Sequence, residues 1–405
     1  MLPNSHVPHP TDPTIGQDPR TTRPHRAATP SPTMKSSTRA ARPTRGTTRS
    51  VNLALQGGGS HGAFTWGVLD ALLEDGRVSL EGISGTSAGA MNAVALASGF
   101  AQTRGASSKS DPRDAARAAL ARFWNGIVGI GALSEAQRAP FELLFGPHGA
   151  ANSPAAAWLT AMSGFMTGAL SPYQNNPFDI NPLREFLQQQ VDFEALQRNG
   201  GPKVFVVATR VASGKAEVFS GKRLTADAVM ASACLPTLFK AVKIEGDHFW
   251  DGGYSGNPAI HPLIYNCTSR DIVLVQINPI RRNELPTSSA QIMDRINEVT
   301  FNAGLIAEMR AIDFVKRLLA EGKLDPAHYK DVLMHRIDGG AKMEALAAST
   351  KTSLSGRLIH SLHAMGRASA KAWLARHFHA LGTECTVNIK RDYLDDLRVP
   401  VADAD

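Results

Sequence analysis

The pentapeptide Gly85-Thr86-Ser87-Ala88-Gly89 stands one strand–helix–strand length after a glycine run, Gly57-Gly58-Gly59-Ser60-His61-Gly62. Residues 78–84 are short and branched, as a strand requires, and residues 88–97 are rich in helix formers. Ser87 therefore lies on a strand-to-helix elbow. Gly85 and Gly89 flank it because so tight a turn leaves no room for neighbouring side chains. The helix that follows aims its first N–H groups at the serine, where negative charge is favoured. A Gly-x-Ser-x-Gly string alone arises by chance in any glycine-rich loop; the strand–turn–helix context makes Ser87 a candidate nucleophile.

The glycine run has the same setting. Residues 50–56 read as a first strand, and residues 63–73 place Phe64, Val68, Leu69 and Leu72 on one helix face. Consecutive glycines free several N–H groups to converge on one point, where an acyl hydrolase holds the carbonyl oxygen of its substrate. Gly57, Gly58 and Gly59 are the candidate oxyanion hole. Gly57, Gly59 and Gly62 also spell a dinucleotide-binding G-x-G-x-x-G, with Glu81 near the expected acid. That fold wants its acid at the end of the second strand, and here the serine elbow occupies it.

A serine needs a base. Residues 242–250 read as a β-hairpin ending at Asp251, after which Gly252 and Gly253 let the backbone turn close to another element. A carboxylate held there could take the serine proton directly, as a Ser–Asp dyad. The alternative is a Ser–His–Asp triad drawing on one of thirteen histidines, with His61, His248 and His261 nearest the motifs. A common α/β-hydrolase places several strand–helix units before its elbow. This chain places one, which disfavours the triad. Asp before Gly is also ordinary turn chemistry.

The glycine run, Gly85–Gly89 and Asp251-Gly252-Gly253, in that order, resemble the patatin-like phospholipases. Ser171-Pro172-Tyr173 with Asn181-Pro182-Leu183, residues 225–236 and Gln276-Ile277-Asn278-Pro279 are similar to a bacterial branch of that family. The resemblance implies a three-layer α/β/α fold with a mostly parallel central sheet, and a dyad of Ser87 and Asp251 needing neither metal nor cofactor. It departs at one place: many members carry Arg or Lys where His61 stands, and a neutral histidine would serve the glycine loop or oxyanion less strongly.

The domain expectation follows: a basic, proline-rich arm at 1–50, a catalytic domain at 51–265, and a last core strand with a helical extension at 266–405. The arm holds nine of twenty-four prolines and eight Arg or Lys against two Asp, while the whole chain carries +7, so the remainder is near neutral. The basic balance thus belongs to a tail of disordered composition and points to no nucleic-acid-binding core. The arm is read as a solvated leader that could touch anionic lipid, with Met34 as a second candidate start. It lacks the apolar core of a secretory signal, though its composition leaves a transit peptide open. Cys234, Cys267 and Cys385 are few, odd in number and far apart, which suits a reducing cytosol. No run of about twenty apolar residues is present to span a membrane.

Residues 149–178 carry no charge and set Trp158, Met162, Phe165 and Met166 at helical spacing with Leu159 beside them. This segment is read as a lid or acyl groove, or equally as a buried helix hairpin. Residues 111–123, 225–234, 291–319 and 360–381 read as helices, and 203–209 and 271–277 as buried parallel strands. The leading function is hydrolysis of lipid carboxylic esters, of phospholipase A or lysophospholipase type. A thioesterase or intracellular polyester hydrolase would use the same chemistry. A non-catalytic lipid-binding scaffold is the reading from another class. The expected partner is a fatty-acyl ester, met in the cytoplasm or at a membrane surface.

Overall fold

Apolar runs buried on both faces supply the central strands of one mixed sheet, and shorter half-exposed ones complete its eight strands. These are β1 (Arg49–Leu55), β2 (Val78–Thr86), β3 (Lys203–Arg210), β4 (Ala216–Phe219), β5 (Val242–Ile244), β6 (Asp247–Asp251), β7 (Asp271–Gln276) and β8 (Leu333–Asp338). Their order is β5-β6-β3-β2-β1-β7-β8, with β4 beside β3. The five strands from β3 to β8 along this order are parallel, and β4 and β6 run antiparallel to β3. The computed structural model describes residues 48–103, 111–145, 171–175, 179, 181–198, 201–282, 284–346 and 348–394. The expectations for the basic arm up to residue 47 and for Trp158, Leu159, Met162, Phe165 and Met166 fall outside these residues.

Strand alternation splits the core in two. Leu53, Leu55, Val273 and Val275 face one cluster, while Ala54, Ile272 and Leu274 face the other. Both faces must therefore be covered, which is why the central strands β1, β3 and β7 are mostly apolar. The principal helices are α1 (Gly62–Asp75), α2 (Ala88–Gln102), α3 (Pro112–Phe145), α4 (Pro182–Gln190), α5 (Ala226–Ser232), α6 (Ser289–Ala320) and α7 (Gly356–His377). The first cluster draws on α1, α2, α3 and α7, and the second on Leu305, Met309 and Ile312 of α6. The result is the expected three-layer α/β/α fold.

The C-terminal region is built into this architecture. Helix α7 crosses α1 at backbone distance, because a Cβ at Gly67 would run into the His363 carbonyl and one at Gly366 into that of Phe64. Arg117 of α3 (2.6 Å) and Arg367 of α7 both bind Asp70 of α1, tying three helices together. Region 266–405 holds two core strands, β7 and β8, where one was expected. Strand β8 escapes an apolar-run reading because it contains His335 and Arg336. His335 is fully buried, and its Nε2 pairs with Asp271 of β7 at 2.9 Å. Helix α3 also runs well beyond residue 123. Its glycines permit close packing: Gly126 lies against the Phe186 ring and Gly131 against Leu354. The expected hairpin forms as β5–β6, and both turn residues, Glu245 (φ 51°) and Gly246 (φ 93°), take the positive φ that a tight hairpin turn requires.

Candidate active site

Strand register brings the motifs together. Leu55 of β1 pairs with Gly85 of β2, so the glycine run and Ser87 leave adjacent parallel strands at the same end of the sheet. That end is where ligands bind in sheets of this kind. Ser87 has φ 54° and ψ −121°, a conformation a residue with a Cβ adopts only under constraint. The constraint is visible. The Ser87 N–H donates to Ser232 Oγ on α5 (2.8 Å), and its carbonyl accepts the Met91 N–H (3.1 Å) as α2 begins. A Cβ at Gly85 would meet the Gly89 backbone at 2.6 Å, and one at Gly57 would meet the Ser87 Cβ at 2.7 Å. Ser87 is half-buried between buried Thr86 and Ala88, which makes it the accessible residue of the turn.

Asp251 arrives from the other side. Thr86 pairs with Val207 and Ala208 pairs with Asp251, so one strand, β3, separates the carboxylate from the level of Ser87. Gly252 fits because a Cβ there would strike the Val207 carbonyl. The Gly253 N–H donates to Asp251 Oδ1 (2.7 Å). Asp251 is 1% exposed. Burial pushes its carboxyl up to about 7, against the opposing pull of the Gly253 N–H and the Ser87 hydroxyl. Oδ2 has no hydrogen-bond partner among the described residues, and the Ser87 hydroxyl is near enough to favour the charged form.

The glycine loop is pinned by buried amides. The Gly57 N–H donates to Asn257 Oδ1 (2.6 Å), and its carbonyl accepts Asn278 Nδ2 (2.7 Å). Gln56 Oε1 accepts the N–H groups of Ile277 and Asn278, both at 2.9 Å. This corrects one expectation. The Gly57 N–H is committed to Asn257, so the candidate oxyanion donors narrow to Gly58 and Gly59, and Gly57 serves by allowing the approach of Ser87. Gly59 has φ 56°, which glycine adopts freely.

A cavity of about 220 Å³ joins these parts. Gly58, Gly59, Ser87 and Asp251 line its polar end, and Phe123, Trp124, Ile127 and Phe301 are among its apolar walls. Trp124 is held by Asn92 Oδ1 (2.9 Å) and stacks at 6.3 Å on Trp66. Larger clefts of about 510 and 620 Å³ lie around Arg336 and Asp338 and around Arg282 and Glu298; neither includes Ser87 or Asp251.

No histidine is among the described residues lining the Ser87 cavity. His61 is buried, and its Nε2 lies 2.7 Å from Thr350 Oγ1. Burial first, then the charges of Lys351 and Arg282, lower its pKa to about 4, so it is neutral at pH 7. His248 is exposed on β6, and His261 Nδ1 faces Glu308 at 3.2 Å. Glu81 binds the Thr268 (2.6 Å) and Ser269 (2.8 Å) N–H groups, well before the strand end where a ribose would need it. The dinucleotide reading fails on that placement. Cys234 contributes its carbonyl to the Asp251 N–H (2.8 Å), and burial pushes its thiol up to about 12, which keeps it inert.

The family model for patatin-like phospholipases matches residues 53–264, spanning both glycine motifs, Ser87 and Asp251. The chain belongs to the patatin-like phospholipase family. Membership places it among lipid acyl hydrolases in general. Among solved structures, this patatin-like protein is similar to VipD from Legionella pneumophila, at 17% identity over 77% of this chain and 67% of that one, with a TM-score of 0.30. No curated protein matches it in sequence. Among the described residues of this patatin-like chain, no helix is long and apolar enough to cross a membrane.

Several site residues gave no signal of their own in the sequence. Ser232, Asn257 and Asn278 act through contacts with residues 145 to 221 positions away. Phe123 and Phe301 fall within expected helices with nothing to mark them, and Trp124 lies just past the end of one. The one available hint was that Asn278 and Ser232 sit within stretches quoted for the family resemblance.

Proposed function

We propose that this protein hydrolyses carboxylic esters of lipids, phospholipids and lysophospholipids foremost, with Ser87 as nucleophile and Asp251 as its base. The observation that carries this reading is Ser87, held at positive φ on its elbow, beside a buried Asp251 whose pKa is near 7. A carboxyl in that range accepts a proton at neutral pH and is acidic enough to return it.

The steps follow from the placement. Asp251 takes the Ser87 Oγ proton as Oγ attacks the ester carbonyl. The tetrahedral oxyanion points to the Gly58 and Gly59 N–H groups, with the N-terminus of α2 adding favourable field. Collapse breaks the ester bond, and the leaving alcohol takes the proton back from Asp251. Water then attacks the acyl-serine, gives its proton to Asp251, and frees the fatty acid as that proton returns to Ser87.

Phe123, Trp124, Ile127 and Phe301 suit an acyl chain. A panel of long-chain phospholipid, lysophospholipid, thioester and short-chain ester tests the reading, with Phe301→Ala assayed alongside. Turnover is expected on the lipid esters. The variant's ratio of kcat/KM for long over short chains is expected to fall roughly tenfold, about 1.4 kcal/mol of lost chain contact. Turnover of thioesters alone would move the substrate class. An unchanged ratio with a lowered melting point would make Phe301 a core residue only.

A further inference from the structure

The family match ends at residue 264, yet the glycine loop is clamped by a segment far beyond it. The turn Ala348–Thr352 and the residues after it lie against the loop. Ser60 Oγ donates to the Ser353 carbonyl, and His61 meets Thr350. Gly59 is glycine in part because a Cβ there would strike the Lys351 carbonyl. Lys351 is also among the residues lining the cavity that holds Ser87 and Asp251.

Lys351 is the unusual member of this contact. Its Nζ donates to Asn278 Oδ1 (2.8 Å). Burial lowers its pKa, and Glu298, which opposes that, is itself bridged by Arg282 (2.6 Å) and Arg295 (3.3 Å). No carboxylate forms an ion pair with Lys351 among the described residues. A half-buried cation without a counter-ion is costly, and its bond to Asn278 leads to the active site. Asn278 Nδ2 passes the contact on to the Gly57 carbonyl (2.7 Å). That carbonyl and the Gly58 N–H belong to one planar peptide and point opposite ways. The ammonium therefore draws on Asn278, Asn278 draws on the Gly57 carbonyl, and the Gly58 N–H at the other end becomes a better-aimed and more polarised donor.

We propose that Lys351 is a positioning residue for ester hydrolysis, supplying positive charge through Asn278 and the Gly57–Gly58 peptide to the oxyanion. This rests on Ser87 being the nucleophile. Neutral His61 cannot supply that charge.

The test uses the full chain with Lys351→Met, Lys351→Gln and Lys351→Arg, assayed on a neutral short-chain ester and on a lysophospholipid, with melting curves and Ser87→Ala in parallel. Losing a direct oxyanion donor costs roughly 10²–10³ in kcat, so losing its support is expected to cost about tenfold. Lys351→Met is expected to lose that factor in kcat equally on both substrates, with KM within about twofold. Lys351→Gln keeps a donor without the charge and is expected to match it, and it carries the test if the Met variant does not fold. Lys351→Arg is expected to recover most of the loss. Unchanged kcat, or a Gln variant as active as wild type, would overturn the proposal. So would a loss confined to KM for the phosphate-bearing substrate, which would make Lys351 a headgroup contact. An active Ser87→Ala would bring down the nucleophile reading and this inference together, whereas an inactive Ser87→Ala beside a fully active Lys351→Met would bring down this inference alone.

Discussion

Ser87→Ala is expected to lose lipid-ester turnover by at least roughly 10⁴-fold, the scale on which serine hydrolases fail without their nucleophile. The same variant is expected to melt within a few degrees of wild type. The change deletes one hydroxyl at a half-buried site, and the elbow is held by the Ser87 N–H and carbonyl, which alanine retains. Alanine is no worse suited than serine to φ 54°. Steady-state turnover on a lysophospholipid, with a melting curve on the same preparation, measures both. More than a trace of activity in the folded variant would remove Ser87 from the chemistry.

Asp251→Asn is expected to be nearly as severe, about 10³–10⁴-fold in kcat, since an amide cannot accept the serine proton. Its stability is expected to move the other way. Burial raises the Asp251 carboxyl in the folded protein from near 4 to about 7. Between those values the folded chain keeps a proton that the unfolded chain releases. Stability therefore falls as pH rises across that window and stays lowered above it. Asparagine carries no such penalty. The variant is expected to melt above wild type at pH 8, with the gap closing below about pH 4. The full difference is on the order of 4 kcal/mol at most. Thermal melts of both proteins from acid to mildly alkaline pH check this. A variant less stable than wild type at pH 8 would mean that the ionised carboxylate is well satisfied. Near-normal activity in Asp251→Asn, with loss in one His→Ala variant, would establish a Ser–His arrangement.

The legible part of the fold was the part written in local backbone requirements. Gly85, Gly89, Gly252 and Gly253 announce themselves because each stands where a Cβ would meet neighbouring atoms at 3.0 Å or less. Strands β3 and β7 are legible because both faces are buried and the apolar run is unbroken. Strand β8 was not, because the partner that lets His335 be buried, Asp271, lies 64 residues earlier and leaves no mark on the local pattern. Short β4 hides for a local reason: it is half-exposed, and Glu217, which exchanges ion pairs with Arg210 and Arg223, interrupts its apolar pattern.

The site divides along similar lines. Ser87 and Asp251 stand out because the chemistry proposed for them demands a particular turn, and strand register sets them at one level. The role of Gly57 was misjudged. Sequence shows which N–H groups glycines can present, but not that Asn257, 200 residues away, takes one of them. The apolar walls and Lys351 come from α3, α6 and the turn before α7. Nothing local separates their pocket-facing residues from ordinary helix faces and surface lysines. His61 marked a departure from the family pattern, and the cation near it comes from position 351.

The measurement closest to the central claim is the pH dependence of covalent labelling by a fluorophosphonate, from about pH 4 to 9, with the adduct mapped by peptide mass spectrometry. The predicted result is an adduct on Ser87. Its labelling rate rises with pH and levels with a midpoint near 7, set by Asp251. In Asp251→Asn that limb is absent and labelling stays slow throughout. An adduct on another residue, a midpoint near 4, or an unchanged limb in Asp251→Asn would contradict the assignment of Ser87 and Asp251.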